Sequence, residues 1–446
     1  MLDSYTPLLD EWSILQSEAS ASPRLLQLKQ FRDDYLCLPV LQGELSDDPT
    51  SVISTQYPLL RIQDIYHHVS KSVQDVLASP PDASYESKRL IQALNIDIKA
   101  RNLFRSLAPL HSGWRTWRAR QIQRFASEDS SDREKHIMHI PFAVELTQGC
   151  SGGCSFCGLS ASYLEDSDSS FQNAGQAFSN FLSQMMSVHG EFAKCGILYW
   201  ASDPLDCIDY LHYATSFRDV FNVMPSTTTA LAAKYPLRFK AYIDSGGLTR
   251  PWGLRCSLRS VSEYIRIKEF TSITERFSIS FLPQYRSNTQ YQAIAGRSYT
   301  SNLSDNQQSQ GGTIACMSGL LVSLPRFTVE LVTPCLAEPN HQNGYRSLVT
   351  LTANSLVDLN DCVESMLSRL PIIPVDLSDS LRVTIHPTQY KFYRNDEFPD
   401  LLDHLSSTPL SLQQLIEPIS DRLRIQRILA YCMELIQFGV LKVSIV

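Results

Sequence analysis

Three cysteines fall within one short stretch, Cys150-Ser-Gly-Gly-Cys154-Ser-Phe-Cys157. Thiolate is the ligand that iron–sulfur clusters select. A four-iron cubane held by three thiolates keeps one iron without a protein ligand, and an open coordination site marks a reactive centre rather than a structural one. Gly149, Gly152, Gly153 and Gly158 allow the backbone to turn sharply around a bulky group. The chain has 11 cysteines in 446 residues, so this ordered triplet is expected by chance only roughly 0.007 times. Two plainer readings stand beside it: buried free cysteines, or part of a zinc site. A zinc ribbon requires a second close pair, and none follows downstream.

The spacing C-x3-C-x2-C has an aromatic, Phe156, before its last cysteine and an apolar run, Phe142–Leu146, before its first. It resembles the radical S-adenosylmethionine (radical SAM) superfamily. The resemblance implies one [4Fe-4S] cluster on Cys150, Cys154 and Cys157 whose open iron binds the amino and carboxylate groups of SAM. One electron then cleaves SAM to methionine and a hydrogen-abstracting 5′-deoxyadenosyl radical. That chemistry is the cofactors', while the protein positions the substrate and excludes other quenchers. An electron donor such as flavodoxin or ferredoxin is implied with it.

The elements that must position such a loop can be read from the pattern. The apolar fraction of 43% and charged fraction of 19% are globular values, and the length suggests two or three domains. A net charge of −7 gives no basic footprint, so nucleic acid is not an expected partner. No apolar run approaches the ~20 residues that span a bilayer, and the N-terminus lacks signal-peptide character. Scattered cysteines in odd number suit a reducing cytoplasm.

Residues 1–138 read as a helical domain. Leu25, Leu26, Leu28, Phe31 and Tyr35 recur at helical spacing, as do Leu59 to Leu77 and Leu90 to Leu103. Pro80-Pro81 separates two of these helices, and Ser127–Glu134 has the polarity of a linker. Residues 139–370 alternate strand and helix, the pattern of an α/β unit. Strands are expected at Phe142–Leu146, Gly196–Ala201, Phe221–Met224, Trp252–Leu258 and Arg276–Leu282, with helices at Phe171–Val188 and Pro204–Val220. The superfamily resemblance implies a partial (β/α)6 barrel here, with the cysteine loop at the carboxyl end of the first strand, where parallel α/β folds put their chemistry.

Four further stretches carry candidate residues, and each has a plain alternative. Asp203 before Pro204 is a good helix cap; its functional reading is a polar turn for the SAM amino group. Thr227, Thr228 and Thr229 are β-branched strand formers; their hydroxyls are otherwise suited to the nucleoside. Arg255, Ser257 and Arg259 share one face by alternation. An arginine there suits the methionine carboxylate as well as a surface ion pair. Cys316 and Cys335 sit on apolar strands, where most cysteines are inert. The polar segment Ser287–Gln310 reads as a covering loop.

The blocks "ELTQGCSGGCSFCG", "YWASDPLD", "PSTTTA", "GGTIACMSGLL", "ELVTPC" and "GYR", in this order over about residues 140–370, resemble the radical SAM peptide epimerases of the PoyD type. These mature ribosomally made precursor peptides such as proteusins. The resemblance implies inversion of L- to D-residues in a leader-plus-core precursor: hydrogen leaves Cα, and a cysteine thiol returns hydrogen to the opposite face. By block, Cys335 is the donor and Cys316 the reserve. Cys207 and Cys256 depart from the pattern by adding thiols near the site. The eight cysteines outside the triplet form no close pair, so no auxiliary cluster is expected. Other radical SAM peptide chemistry (cyclisation or backbone cleavage) and a non-catalytic precursor-binding scaffold are the alternatives.

Residues 371–446 read as a hairpin, Leu381–Ile385 with Tyr390–Arg394, followed by helices from Phe398, Ser411 and Asp421. This small α+β domain resembles winged-helix modules that take a leader peptide as an added strand; the alternative is a packing domain. His136 and His139 form an H-x2-H that reads as a solvated pair at a strand edge.

Overall fold

Proline sets the phase of the first four helices. Pro7, Pro23, Pro39 and Pro49 each lie in the first turn of theirs, Thr6–Ala21, Pro23–Cys37, Pro39–Asp47 and Pro49–Gln56. There the missing N–H is no loss and the fixed φ is already helical. Ser22 and Asp48 cap the second and fourth by accepting the backbone N–H of Leu25 and Ser51. The longer helices Tyr85–Ser106 and Ser112–Glu128 complete the N-terminal region. The structure, a computed structural model, describes residues 5–76, 82–128, 136–165, 171–251, 253–285, 294–299, 312–339 and 341–369, and near the C-terminus 421, 423, 424, 426 and 427. Nearly all of the expected C-terminal domain, Pro80-Pro81, Trp252, most of the linker and most of the covering loop lie outside the described residues.

The remainder is α/β, with a mixed sheet. Its strands are β1 (Ile140–Glu145), β2 (Thr227–Thr229), β3 (Leu254–Leu258), β4 (Ile279–Pro283), β5 (Met317–Ser323), β6 (Thr328–Pro334) and β7 (Tyr345–Thr352). Two ladders form, β1-β5-β6-β7 and β2-β3-β4. Ile197 joins them, bridging parallel to Ala143 on one side and to Ser226 on the other. From β5 through β1, Ile197, β2 and β3 to β4 all pairing is parallel, while β6 and β7 run antiparallel. Helices Phe171–His189, Tyr210–Phe221, Pro236–Tyr242 and Val261–Phe270 fall between successive parallel strands, as parallel pairing requires of its crossovers. Among the described residues no pairing joins β4 to β7.

Three strand expectations shift. Phe221–Met224 is not a strand: the helix runs to Phe221, and Asn222 ends it in the left-handed conformation at φ 55°, a place asparagine tolerates. The strand begins later, at the β-branched run Thr227–Thr229. Gly196–Ala201 contributes one bridging residue, Ile197, rather than a regular strand. Arg276 closes a helical turn, Ile273–Phe277, capped by Ser272, so β4 starts at Ile279.

The core lies between sheet and helices. Phe142 of β1 meets Phe181, Phe217 and Phe221. A second apolar cluster inside the N-terminal helices, with Leu15, Leu28, Phe31 and Ile96, also takes in Phe277 just before β4. A buried clamp reinforces that junction. Lys29 Nζ bonds Asp33 at 2.6 Å and donates to the carbonyls of Arg276 and Ile279. Asp34 accepts from Tyr57, Tyr264 and Lys268. Burial lowers the Lys29 pKa and raises that of Asp33, each opposed by the other's charge.

On the opposite edge, helix Ser112–Glu128 packs on β5 and β6 through buried polar groups. Arg118 Nε donates to His139 O, and Arg124 Nη2 to Thr333 Oγ1 and Pro334 O. This overturns the solvated histidine pair. His136 is exposed, but His139 is buried at φ 51°, its Nδ1 2.7 Å from Ser318 Oγ. Among the described residues no helix is long and apolar enough to cross a membrane.

Candidate cluster-binding site

β1 ends at Glu145, and the cysteine loop begins five residues later, on the carboxyl side of the parallel strands. Gly149 adopts φ 83°, where a Cβ would fall 2.2 Å from Tyr163 O; only glycine lets the chain turn against the returning segment. There Cys150 N donates to Ser162 O at 2.9 Å. Gly152 is the pivot. A Cβ on it would stand 3.2 Å from Cys150 Sγ and 3.3 Å from Cys154 Sγ, so two sulfurs converge over a position that carries no side chain. Gly152 N–H also donates to Cys150 Sγ, and Ala161 N–H to Cys157 Sγ, at 3.3 and 3.4 Å. Hydrogen bonds to sulfur are a lever by which proteins tune thiolate-ligated metals.

The loop is braced from the neighbouring strand ends. Arg259, just past β3, donates to Gly152 O at 2.8 Å while pairing with Glu263. Arg297 donates from Nη1 to Cys154 O at 2.8 Å, and its guanidinium also reaches Ala161 O. The Arg297 amide donates to Cys157 O. Asp206 accepts from the Ser151 amide at 2.8 Å and hydroxyl at 2.6 Å, and Lys234 Nζ reaches the same hydroxyl at 2.6 Å. Arg297 and Lys234 carried no signal in the sequence. Asp206 and Arg259 lay inside stretches already singled out, but without this bracing role.

Burial raises the thiol of Cys150 to about 12, with the Asp203 charge adding to it and the Gly152 N–H opposing. Burial likewise raises Cys154 to about 11, with Arg259 opposing. Both are therefore thiols near neutral pH, and a metal that takes them as thiolates displaces protons. Among the described residues no three His, Cys, Asp or Glu side chains gather around a single ion. A zinc ion needs ligand atoms within about 2.3 Å, whereas a cubane takes each thiolate on a different iron and asks for a wider triangle. The cradle over Gly152 and the N–H groups aimed at sulfur fit the latter.

Asp203 is at once the cap that its sequence context suggests and a tie between strand ends. It accepts from Leu205 N–H, Ala230 N–H and the Thr229 hydroxyl. Its pKa is pushed up to about 6, first by burial, against those donors. Alternation divides the threonines. Thr227 and Thr229 are buried, the first bonded to Tyr210. Thr228 lies on the other face, where its hydroxyl accepts from Tyr199 and from Arg255 Nε, both at 3.0 Å. Ser257 shares the half-buried face of Arg255, and Phe156 is half-buried beside Cys157.

The two donor candidates sit on neighbouring strands of the other half of the sheet. Cys316 precedes Met317, which pairs with Ile140; it is half-buried, and burial raises its thiol pKa. Cys335 follows β6 and is buried. β5 runs parallel to β1 with Met317 beside Ile140, and β6 runs antiparallel, so both cysteines lie at the amino end of β1, whereas the cysteine loop follows its carboxyl end. Gly158 lies against Ile314, which a Cβ there would meet at 2.8 Å. Thr313 Oγ1 and Cys335 N both donate to Gly344 O, at 2.7 and 3.0 Å. Cys207 and Cys256 are buried.

Comparison with known proteins gives one distant likeness. An uncharacterized protein, y4wI, from Sinorhizobium fredii (strain NBRC 101917 / NGR234) is 26% identical over 314 residues, covering 67% of this chain. The chain spans 60% of that relative's length. No family model matches the chain, and no solved structure does.

Proposed function

We propose that this chain is a radical SAM peptidyl epimerase that inverts residues of a ribosomally made precursor peptide. The observation that carries the reading is the cysteine loop: two sulfurs converge over Gly152 at the carboxyl side of parallel strands, and braces from four other segments hold the loop. In this reading the parallel strands form a partial (β/α)6 barrel, the protein works in the cytoplasm, and residues 371–446 take the leader peptide.

Cys150, Cys154 and Cys157 would hold one [4Fe-4S] cluster. Cluster and SAM together supply a hydrogen-abstracting radical. The chain's own residues do the rest. Phe156, Thr228, Arg255 and Ser257 line the SAM side, with Arg255 Nε held by the Thr228 hydroxyl. Asp203 and Thr229 fix the turn beside them, and Thr227 anchors β2. Cys335 gives a hydrogen atom to the Cα radical and is left as a thiyl radical that an electron and a proton must restore, with Cys316 as the alternative donor; the thiol form is the required one, and burial raises the Cys316 thiol toward it.

The test is anaerobic reconstitution, then reaction with SAM, a reductant and the cognate precursor in deuterated water. Formation of 5′-deoxyadenosine, together with D-residues carrying deuterium at Cα, supports the reading. A product with a changed mass in ordinary water points to cyclisation or cleavage instead. Absence of 5′-deoxyadenosine leaves a binding scaffold.

A further inference from the structure

The half-buried face of β2, β3 and β4 is one continuous wall. Burial alternates along each strand, and register sets Thr228, Arg255 and Ser280 side by side on the half-buried side. From there the charge of Arg255 reaches both the thiol of Cys316 and the carboxylate of Asp97. Arg101 reaches the same two groups: its guanidinium lies 3.6 Å from Asp97, and its charge also acts on Cys316. Asp97 and Arg101 stand one turn apart on the helix Tyr85–Ser106. The N-terminal helical region thus meets the α/β region beside a candidate hydrogen donor.

The sulfur itself is held in place. The Met138 amide hydrogen-bonds it, and the Cys316 carbonyl accepts from Ile140 N–H at 2.8 Å. Arg118 grips the carbonyls of Met138 and His139, both at 3.0 Å. His139 takes φ 51° there, a strained conformation of the kind that clusters at working sites. Although β1 separates the two ends, Ile314 ties the thiol to the cysteine loop. It lies two residues before Cys316, about 7 Å of extended chain, and packs against Gly158. Cys316 keeps part of its surface open, whereas Cys335 is 1% exposed.

Giving a hydrogen atom to the Cα radical breaks the S–H bond, forms the C–H bond and leaves a neutral thiyl radical. One electron from a low-potential one-electron reductant turns the thiyl into a thiolate, and a proton from water then restores the thiol. Of these three sulfur species only the thiolate is charged, and nearby cations favour it. Burial outweighs both arginines in the resting group and keeps it a thiol. Resting on the radical SAM epimerase reading, we propose that Cys316 is the hydrogen donor and that Arg101 and Arg255 are its positioning residues, which stabilise the thiolate through which the spent sulfur is restored. Asp97 moderates Arg101. The N-terminal helix thereby belongs to the reactive centre.

Thiolate stabilisation is read by alkylating the full chain with iodoacetamide across pH, with peptide mass spectrometry to separate Cys316 from the other thiols. Arg101→Gln is expected to slow alkylation of Cys316 about tenfold at about pH 8, and Arg101→Lys to restore the parent rate. Asp97→Asn has the opposite sign. Burial pushes Asp97 up to about 6, so it is ionised at that pH, and removing its charge should speed alkylation. Faster alkylation in both the Gln and the Asn variant reports loosened packing and overturns the proposal, as does no change in either. In the reconstituted enzyme, Arg101→Gln should complete one inversion per chain at the parent rate and then slow several-fold. A slowed first inversion, or full inversion by Cys316→Ala, overturns the proposal and leaves the epimerase reading intact. A parent chain that forms no 5′-deoxyadenosine defeats the epimerase reading itself and the donor role with it, whereas the alkylation shifts are read independently of that outcome.

Discussion

Two regions of this molecule bury charged side chains, and they use them in opposite ways. At the junction of the N-terminal helices with β4, Lys29, Asp33, Asp34 and Lys268 bond chiefly to one another, to tyrosine hydroxyls and to two carbonyls. The charges satisfy themselves, and the product is a joint. Around the cysteine loop, Asp206, Arg259 and Arg297 spend their hydrogen bonds largely on the loop backbone. What they hold out is a set of sulfurs that they do not themselves consume. A closed polar network reads as structure, and a network that braces the backbone beneath soft ligands reads as a site.

The largest effect should come from removing those ligands. Replacing Cys150, Cys154 and Cys157 together by serine is expected to abolish four-iron absorption and SAM cleavage while leaving the circular dichroism of the fold unchanged. Any remaining 5′-deoxyadenosine breaks the comparison at its functional end.

The joint gives the converse. Lys29→Met leaves Asp33 buried without its cation, and removing one partner of a buried pair costs about 3–5 kcal/mol. Urea unfolding should show that loss. The folded fraction should still take up a full cluster, so a variant with normal stability and a poorly loaded cluster would show that the two regions had been assigned the wrong way round.

A smaller and more local effect is expected at the braces. Arg297→Ala removes a cation that donates to the backbone on both sides of Cys157, a change worth about 1–3 kcal/mol for charge-assisted bonds. The predicted outcome is several-fold faster cluster loss to a chelator with little change in the urea midpoint. Loss of global stability without faster cluster loss would place Arg297 with the joint.

How far this contrast was visible in the sequence follows from the range of the forces involved. The cysteine loop, β1 and the crossover helix Phe171–His189 were legible because spacing, glycine and apolar period are local signals. Helix and strand were confused at Phe221–Met224 because its three apolar residues suit either one, and Asn222 in the left-handed conformation decided it. His139 was misjudged because its burial depends on Ser318 and Arg118, far away in sequence. Arg297 was invisible for the same reason: nothing near it in the chain says that it will grip Cys154 from 143 residues away.

The subtlest test lies at Asp203, which has a foot in both categories: it is a cap, closed on its own donors, yet it stands beside the sulfurs. Burial pushes its folded pKa up to about 6, above the ordinary aspartate value of about 4. The folded state therefore holds this proton over a range in which the unfolded chain has released it. Stability drawn from that difference is fully present below the unfolded value and is lost as pH rises through about 4 to 6. Asp203→Asn cannot titrate, so its urea stability should fall less steeply over that window than the parent's. If the two slopes coincide, the donors from Leu205, Thr229 and Ala230 outweigh burial and hold the carboxylate ionised throughout. Asp203 would then be a satisfied structural acid, as Asp34 is, and its nearness to Cys150 would be incidental.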